Sequence, residues 1–101
     1  MKLWIVTNIG GGKNYTPSAF VNYDEAWNHF LALITNNIFD RYGDELASHG
    51  IERGSSLDVI AYADKNIDDV WIYGGHKDYD EVAIGELEEG GNVIQLFKID
   101  L

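Results

Sequence analysis

Cysteine is missing from this 101-residue chain, which excludes disulfides, zinc–thiolate sites and thiol nucleophiles. Basic residues are scarce, because seven Lys and Arg stand against 17 Asp and Glu and leave a formal net charge of -10. Contacts with phosphate groups depend on Lys and Arg. This balance therefore argues against direct binding to nucleic acid or to an anionic membrane surface.

Long hydrophobic runs are absent as well. No apolar stretch approaches the ~20 residues of a membrane span, and the N-terminal apolar run, which ends at Asn8, is too short for a signal peptide. These absences predict a cytoplasmic protein. With 46% hydrophobic residues the chain can bury one modest core but not two, so we expect a single domain over residues 1–101.

The clearest local pattern is that of an amphipathic helix. Asn22 can cap a helix start, and Glu25 three residues later completes a capping box. Apolar side chains then recur every three or four residues, which places them on one stripe. We predict a helix over 23–42, a break at Gly43 and a second turn or short helix over 44–49. The stripe contains Trp27, Phe30, Leu31, Ile34 and Ile38.

The rest of the chain has the alternation and turn residues that are typical of strands. A tight turn at 89–92 joins the last two strands, and Gly85 is interpreted as a β-bulge. The order β(β)αββββ predicts an α+β two-layer sandwich, with one main amphipathic helix on an antiparallel sheet of about 4–6 strands. The predicted strands are 2–8, 18–21, 57–63, 70–73, 81–88 and 93–99.

Negative charge is concentrated in the second half of the chain. Residues 51–101 contain twelve acids and four bases, whereas residues 1–50 contain five acids and three bases. Because unpaired carboxylates are costly to bury, these acids must face water or a basic partner. An acidic surface that only keeps the domain soluble and blocks pairing of sheet edges is the alternative. The candidate partner-binding acids are Asp64, Asp68, Asp69, Asp78, Asp80, Glu81, Glu86, Glu88 and Glu89.

Aromatic residues accompany these acids. Trp71 and Tyr73 alternate along one predicted strand, and Tyr79 follows in the next loop. Such side chains are typical anchors at protein interfaces. The alternative is that Trp71 and Tyr73 belong to the core, because Val70 and Ile72 on the other phase of the strand are apolar too.

Size and charge together favour a non-catalytic binding protein. In these two properties alone, the chain is similar to the small acidic inhibitors that phages and mobile elements make against restriction or CRISPR enzymes. That likeness implies a negative face that docks on the basic groove of a nucleic-acid-binding enzyme, with carboxylates in the places of phosphates. We expect a monomer or small homo-oligomer that needs no cofactor.

Two other functions remain open. His76, Asp78 and Asp80 alternate in one loop and could bind a divalent metal, either in a small enzyme or in a metal-binding protein. The segment 64–69 resembles the start of a calcium loop, but Asp69 replaces the required Gly and Gly75 the required Glu, so an EF-hand is excluded. The chain could also be a structural subunit of a larger assembly.

Overall fold

The computed structural model describes residues 1–10, 13–74, 81–87 and 92–101. Within these residues the chain forms six strands and two helices, and all strands pair antiparallel in a single sheet. The predicted α+β architecture, with a long helix packed on an antiparallel sheet, is confirmed. The elements are β1 (Lys2–Gly10), β2 (Lys13–Asn14), β3 (Ser18–Phe20), α1 (Tyr23–Ser48), α2 (Ser56–Asn66), β4 (Val70–Gly74), β5 (Glu81–Leu87) and β6 (Asn92–Asp100).

Helix α1 begins where the sequence predicts. The Asn22 side-chain oxygen accepts hydrogen bonds from the backbone N–H groups of Asp24, at 2.9 Å, and Glu25, at 3.2 Å. These bonds satisfy two donors that have no partner inside the helix. The two acidic side chains also lie at the positive end of the helix dipole.

Helix α1 is interrupted one residue before the predicted break, and the helical turns predicted after the break are present. The interruption falls at Tyr42 (φ -119°, ψ 22°) and not at Gly43, and the helix then runs on to Ser48. The Tyr42 hydroxyl donates to the carboxylate of Asp69, just before β4, and so connects the kinked turn to the sheet. Continuing the helix buries Leu46 completely, which stabilises the extra turns.

The predicted strand at 57–63 is wrong, because this segment forms helix α2. Its β-branched and aromatic residues favour a strand locally. The buried positions Val59, Ala63 and Ile67 are four residues apart, which is the spacing of one helical face, and Leu57 is left exposed. Packing of that face against α1 overrides the local preference.

The strand order is β2-β1-β6-β5-β4, and β3 also pairs with β1. The N- and C-terminal strands β1 and β6 therefore lie side by side at the centre, and β4 forms one edge. The β5–β6 pairing shifts register between Glu81 and Ala83. The bulge thus lies at Val82 and not at the predicted Gly85, which pairs regularly with Ile72 and Ile94.

Both helices pack on one face of the sheet, which we call the inner face; the opposite side is the outer face. Phe30, Ile34 and Ile38 of α1 are fully buried there, as the stripe predicts, while Trp27 and Leu31 are partly buried. The strands contribute mainly small or branched apolar side chains. Buried strand residues of the core are Trp4, Val6, Val82, Ala83, Leu87, Ile94 and Leu96.

Gly85 permits the close approach of helix and sheet. A Cβ atom at this position would overlap the Cδ1 atom of Ile34 and would lie 3.0 Å from its Cγ1 atom. Without that Cβ, the isoleucine side chain packs directly against the backbone of β5. The glycine at this position therefore serves packing rather than the bulge that the sequence suggests.

Candidate functional site

The outer face is the most distinctive surface of the molecule. Directly paired residues of neighbouring strands place their side chains on the same face, so the register arranges the outer face in rows. The first row is Trp71, Glu86, Val93 and Ile9; the second is Tyr73, Ile84, Gln95 and Thr7; the third is Glu81, Phe97, Ile5 and Ala19; the last is Ile99 and Leu3.

Ten of these fourteen side chains are apolar or aromatic, and only Glu81 and Glu86 are charged. The face is nevertheless open to solvent. Trp71 is 49% exposed and Ile9 is 53% exposed, whereas Leu96 on the inner face is 0% exposed. None of the helices formed by the described residues packs on this side. A contiguous apolar surface of this kind is typical of interaction sites.

Two of the three aromatic residues singled out in the sequence, Trp71 and Tyr73, lie on this face. Trp71 and Tyr73 project from the edge strand β4 with their rings stacked, at a centroid distance of 5.9 Å and an interplanar angle of 3°. Both are exposed, while Val70 and Ile72 pack against the core. The sequence leaves open whether Trp71 and Tyr73 are exposed or belong to the core, and in the structure they are exposed.

Two of the candidate acids belong to the outer face. Glu86 is the direct cross-strand partner of Trp71 and is partly buried between its neighbours. The exposed Glu81 accepts a hydrogen bond of 2.7 Å from the Gln95 side chain. Among the described residues, neither carboxylate has a Lys or Arg within ion-pair distance.

Three further candidate acids lie at the end of α2 and in the turn before β4. Asp64 and Asp68 are exposed there. Asp69 is partly buried, accepts a hydrogen bond from Tyr42, and lies 3.6 Å from the Arg41 guanidinium, so it contributes to the fold. These three acids therefore do not belong to the rows of the outer face. The candidates Asp78, Tyr79, Asp80, Glu88 and Glu89, and also His76, lie outside the described residues.

Two concave sites occur elsewhere on the described surface. One, of about 710 Å³, lies beside the start of α2 and includes Trp27 and Leu57 in its lining. The other, of about 250 Å³, contains His29 and Asp40, together with Asn8, whose buried side-chain oxygen has no hydrogen-bond partner among the described residues. In the parts of the chain that the structure describes, no three His, Asp or Glu side chains are grouped to hold a metal ion.

Sequence reasoning missed the apolar members of the outer face. Ile84, Phe97 and Ile5 share this surface only because β5, β6 and β1 are neighbours in the sheet. A signal was present in β6, where Val93 and Phe97 alternate with the equally apolar Ile94 and Leu96. A strand that is apolar on both phases requires cover on both faces, or leaves one for a partner.

The described helices include none with the length and hydropathy needed to cross a membrane. Comparisons of the chain with protein-family models, with curated proteins and with solved structures found no match.

Proposed function

We propose that the protein is a small, acidic, non-catalytic binding protein that docks its outer face on a positively charged surface of another protein. The observation that carries this proposal is an open, apolar sheet face on which the described strand residues contribute only negative charges. Desolvation of the apolar rows provides affinity, and the carboxylates provide steering and selection of the partner.

The size of the outer face is compatible with an interface. Rows ~6.8 Å apart on strands ~4.8 Å apart give a projected area of roughly 400–500 Å². The largest apolar patches of ordinary monomers span about 300–600 Å² and are often functional. A standard interface buries about 800 Å² on each partner, so the polar rim around the rows must supply the remainder.

Charge favours a cationic partner over a second copy of the same chain. Each copy has a formal charge of -10, and stacking two outer faces would bring their glutamates together. A basic partner instead gains from the same field, which accelerates association at low salt. Asp64 on α2 and Asp68 in the turn before β4 are exposed and add to the negative field of the protein, although neither belongs to the rows of the outer face.

The specific partner class that we propose is a nucleic-acid-binding enzyme, which the protein would inhibit by occupying its basic groove. Support comes from the small size and the excess of acids in residues 51–101, the properties shared with phage and mobile-element antagonists of restriction and CRISPR enzymes. Carboxylates would take the positions of phosphates, and Trp71 and Tyr73 would anchor the complex.

The experiment measures binding of the protein to an immobilised restriction endonuclease and to an immobilised RNA-guided nuclease, at about 50 and 500 mM NaCl. We expect binding that weakens at high salt and inhibits DNA cleavage. Combining Trp71→Ser with Phe97→Ser should abolish it, while Leu57→Ser, on the exposed surface of α2, should not. Binding that is insensitive to salt, or unchanged in the outer-face variant, would contradict the proposal.

A further inference from the structure

We infer that Trp71 and Glu86 form a docking site for an arginine side chain of the partner. This inference rests on the proposed function and specifies the chemistry that the partner must present. The guanidinium group would lie against the indole ring and donate hydrogen bonds to the carboxylate. The site is built from two adjacent strands, so its two components are held in a fixed relation.

The register fixes that relation. Trp71 on β4 and Glu86 on β5 are directly opposite each other, which places their Cβ atoms about 4.5–5.5 Å apart. Tyr73 stacks on Trp71 and restricts the rotamers of the indole. Trp71 is half exposed, and a planar cation can therefore reach both the ring and the neighbouring carboxylate.

The same chain already contains this combination of groups in a completed form. The Arg53 guanidinium lies 5.2 Å from the centre of the Phe39 ring and donates to the Asp40 carboxylate at 3.2 Å. An aromatic ring and a carboxylate thus hold one arginine on the surface of α1. Trp71 and Glu86 supply the corresponding ring and carboxylate on the outer face, without a described cation between them.

Desolvation explains why the partner must bring a cation to this position. Glu86 is surrounded by Trp71 and Val93 in its row, so any partner that covers the apolar rows also removes water from this carboxylate. An uncompensated buried carboxylate is strongly unfavourable. A purely apolar partner is therefore selected against, and one with a cation opposite Glu86 is favoured.

Arginine suits this position better than lysine. Its guanidinium is planar, stacks on aromatic rings, and presents paired N–H donors that match a carboxylate. The lysine ammonium is more strongly hydrated and gains less from the indole face. A site made only of carboxylates would bind either cation, so discrimination between the two is diagnostic of the aromatic component.

The test uses hexa-arginine and hexa-lysine peptides as probes, because they carry equal charge. Affinities are measured by NMR titration of the ¹⁵N-labelled protein, which also shows where each peptide binds. We expect hexa-arginine to bind at least about threefold more tightly, with the largest shifts at Trp71 and Glu86. Trp71→Leu and Glu86→Gln should each bring the ratio close to one, whereas Glu52→Gln, an exposed acid elsewhere, should preserve it.

Equal affinity of the two peptides for the wild-type protein would overturn the arginine site, as would hexa-arginine shifts confined to Asp64 and Asp68. Neither result would overturn the proposed function, because that function is tested separately by the binding of nucleases at low salt. Trp71 and Glu86 are exposed or partly exposed, so neither substitution should damage the fold. Thermal unfolding of each variant checks this expectation.

Discussion

The two faces of the sheet have nearly the same chemistry and opposite environments. Leu96 and Phe97 are neighbours on β6, yet the first is fully buried under the helices and the second lies on the open face. The inner face thus accounts for the stability of the domain. The outer face carries apolar side chains that no described helix covers, so apolar content alone does not locate the core.

The largest contrast is expected from truncating these two neighbours. Leu96→Ala removes a fully buried side chain and leaves a cavity, so it should lower the free energy of unfolding by about 2–5 kcal/mol. Phe97→Ala loses mainly cross-strand contacts and should cost about 1 kcal/mol or less. Urea denaturation of both variants measures the difference. Equal losses would show that the outer face is buried as well.

A single methyl group at Gly85 should reveal how tightly α1 covers the inner face. The added Cβ in Gly85→Ala would collide with Ile34 and should destabilise the protein by about 1–3 kcal/mol. Gly54→Ala is the matched control, because a Cβ there meets no atom within 4 Å. A neutral Gly85→Ala in thermal unfolding would mean that the helix lies farther from the sheet.

Substitutions at the N-cap of α1 test the stability of the helix that covers the inner face. Asn22→Ala removes an acceptor for two backbone N–H groups and should cost about 1 kcal/mol. Asn22→Asp keeps the acceptor and should remain close to wild type. Chemical denaturation provides the measurement, and a loss of the same size in both variants would assign the effect to something other than capping.

The smallest effect on stability is expected on the outer face. Glu86→Gln removes a charge that no described base neutralises, so the free energy of unfolding should change by less than about 0.5 kcal/mol. Affinity for a cationic partner should nevertheless fall. A large loss of stability would instead assign Glu86 a structural role and remove it from the binding surface.

Local signals made the inner face predictable from the sequence. The capping pattern at Asn22 and the spacing of Phe30, Ile34 and Ile38 specify where α1 begins and which side it buries. The same kind of reasoning misassigned 57–63, because its β-branched residues favour a strand locally while contacts with α1 stabilise a helix. Neighbouring residues do not encode such contacts.

The outer face was predictable only in part. Alternation placed Trp71 and Tyr73 on one side of a strand, but it did not determine whether that side was covered. The inclusion of Ile84 and Phe97 depends on β6 lying between β1 and β5, which is a property of the whole sheet. The separation of Glu81 and Glu86 from Asp64 and Asp68, among the described acids, likewise follows from the fold and not from their positions in the chain.

The most direct test compares thiol reactivity on the two faces, since the chain contains no native cysteine. Ile84→Cys places a single thiol in the middle of the outer face, and Ile94→Cys places one on the fully buried inner face. Under native conditions, Ile84→Cys should react with an aromatic disulfide reagent at least about a hundredfold faster than Ile94→Cys, which must await unfolding. Equal protection of both positions in the free protein would contradict the account, because it would mean that the outer face is already covered.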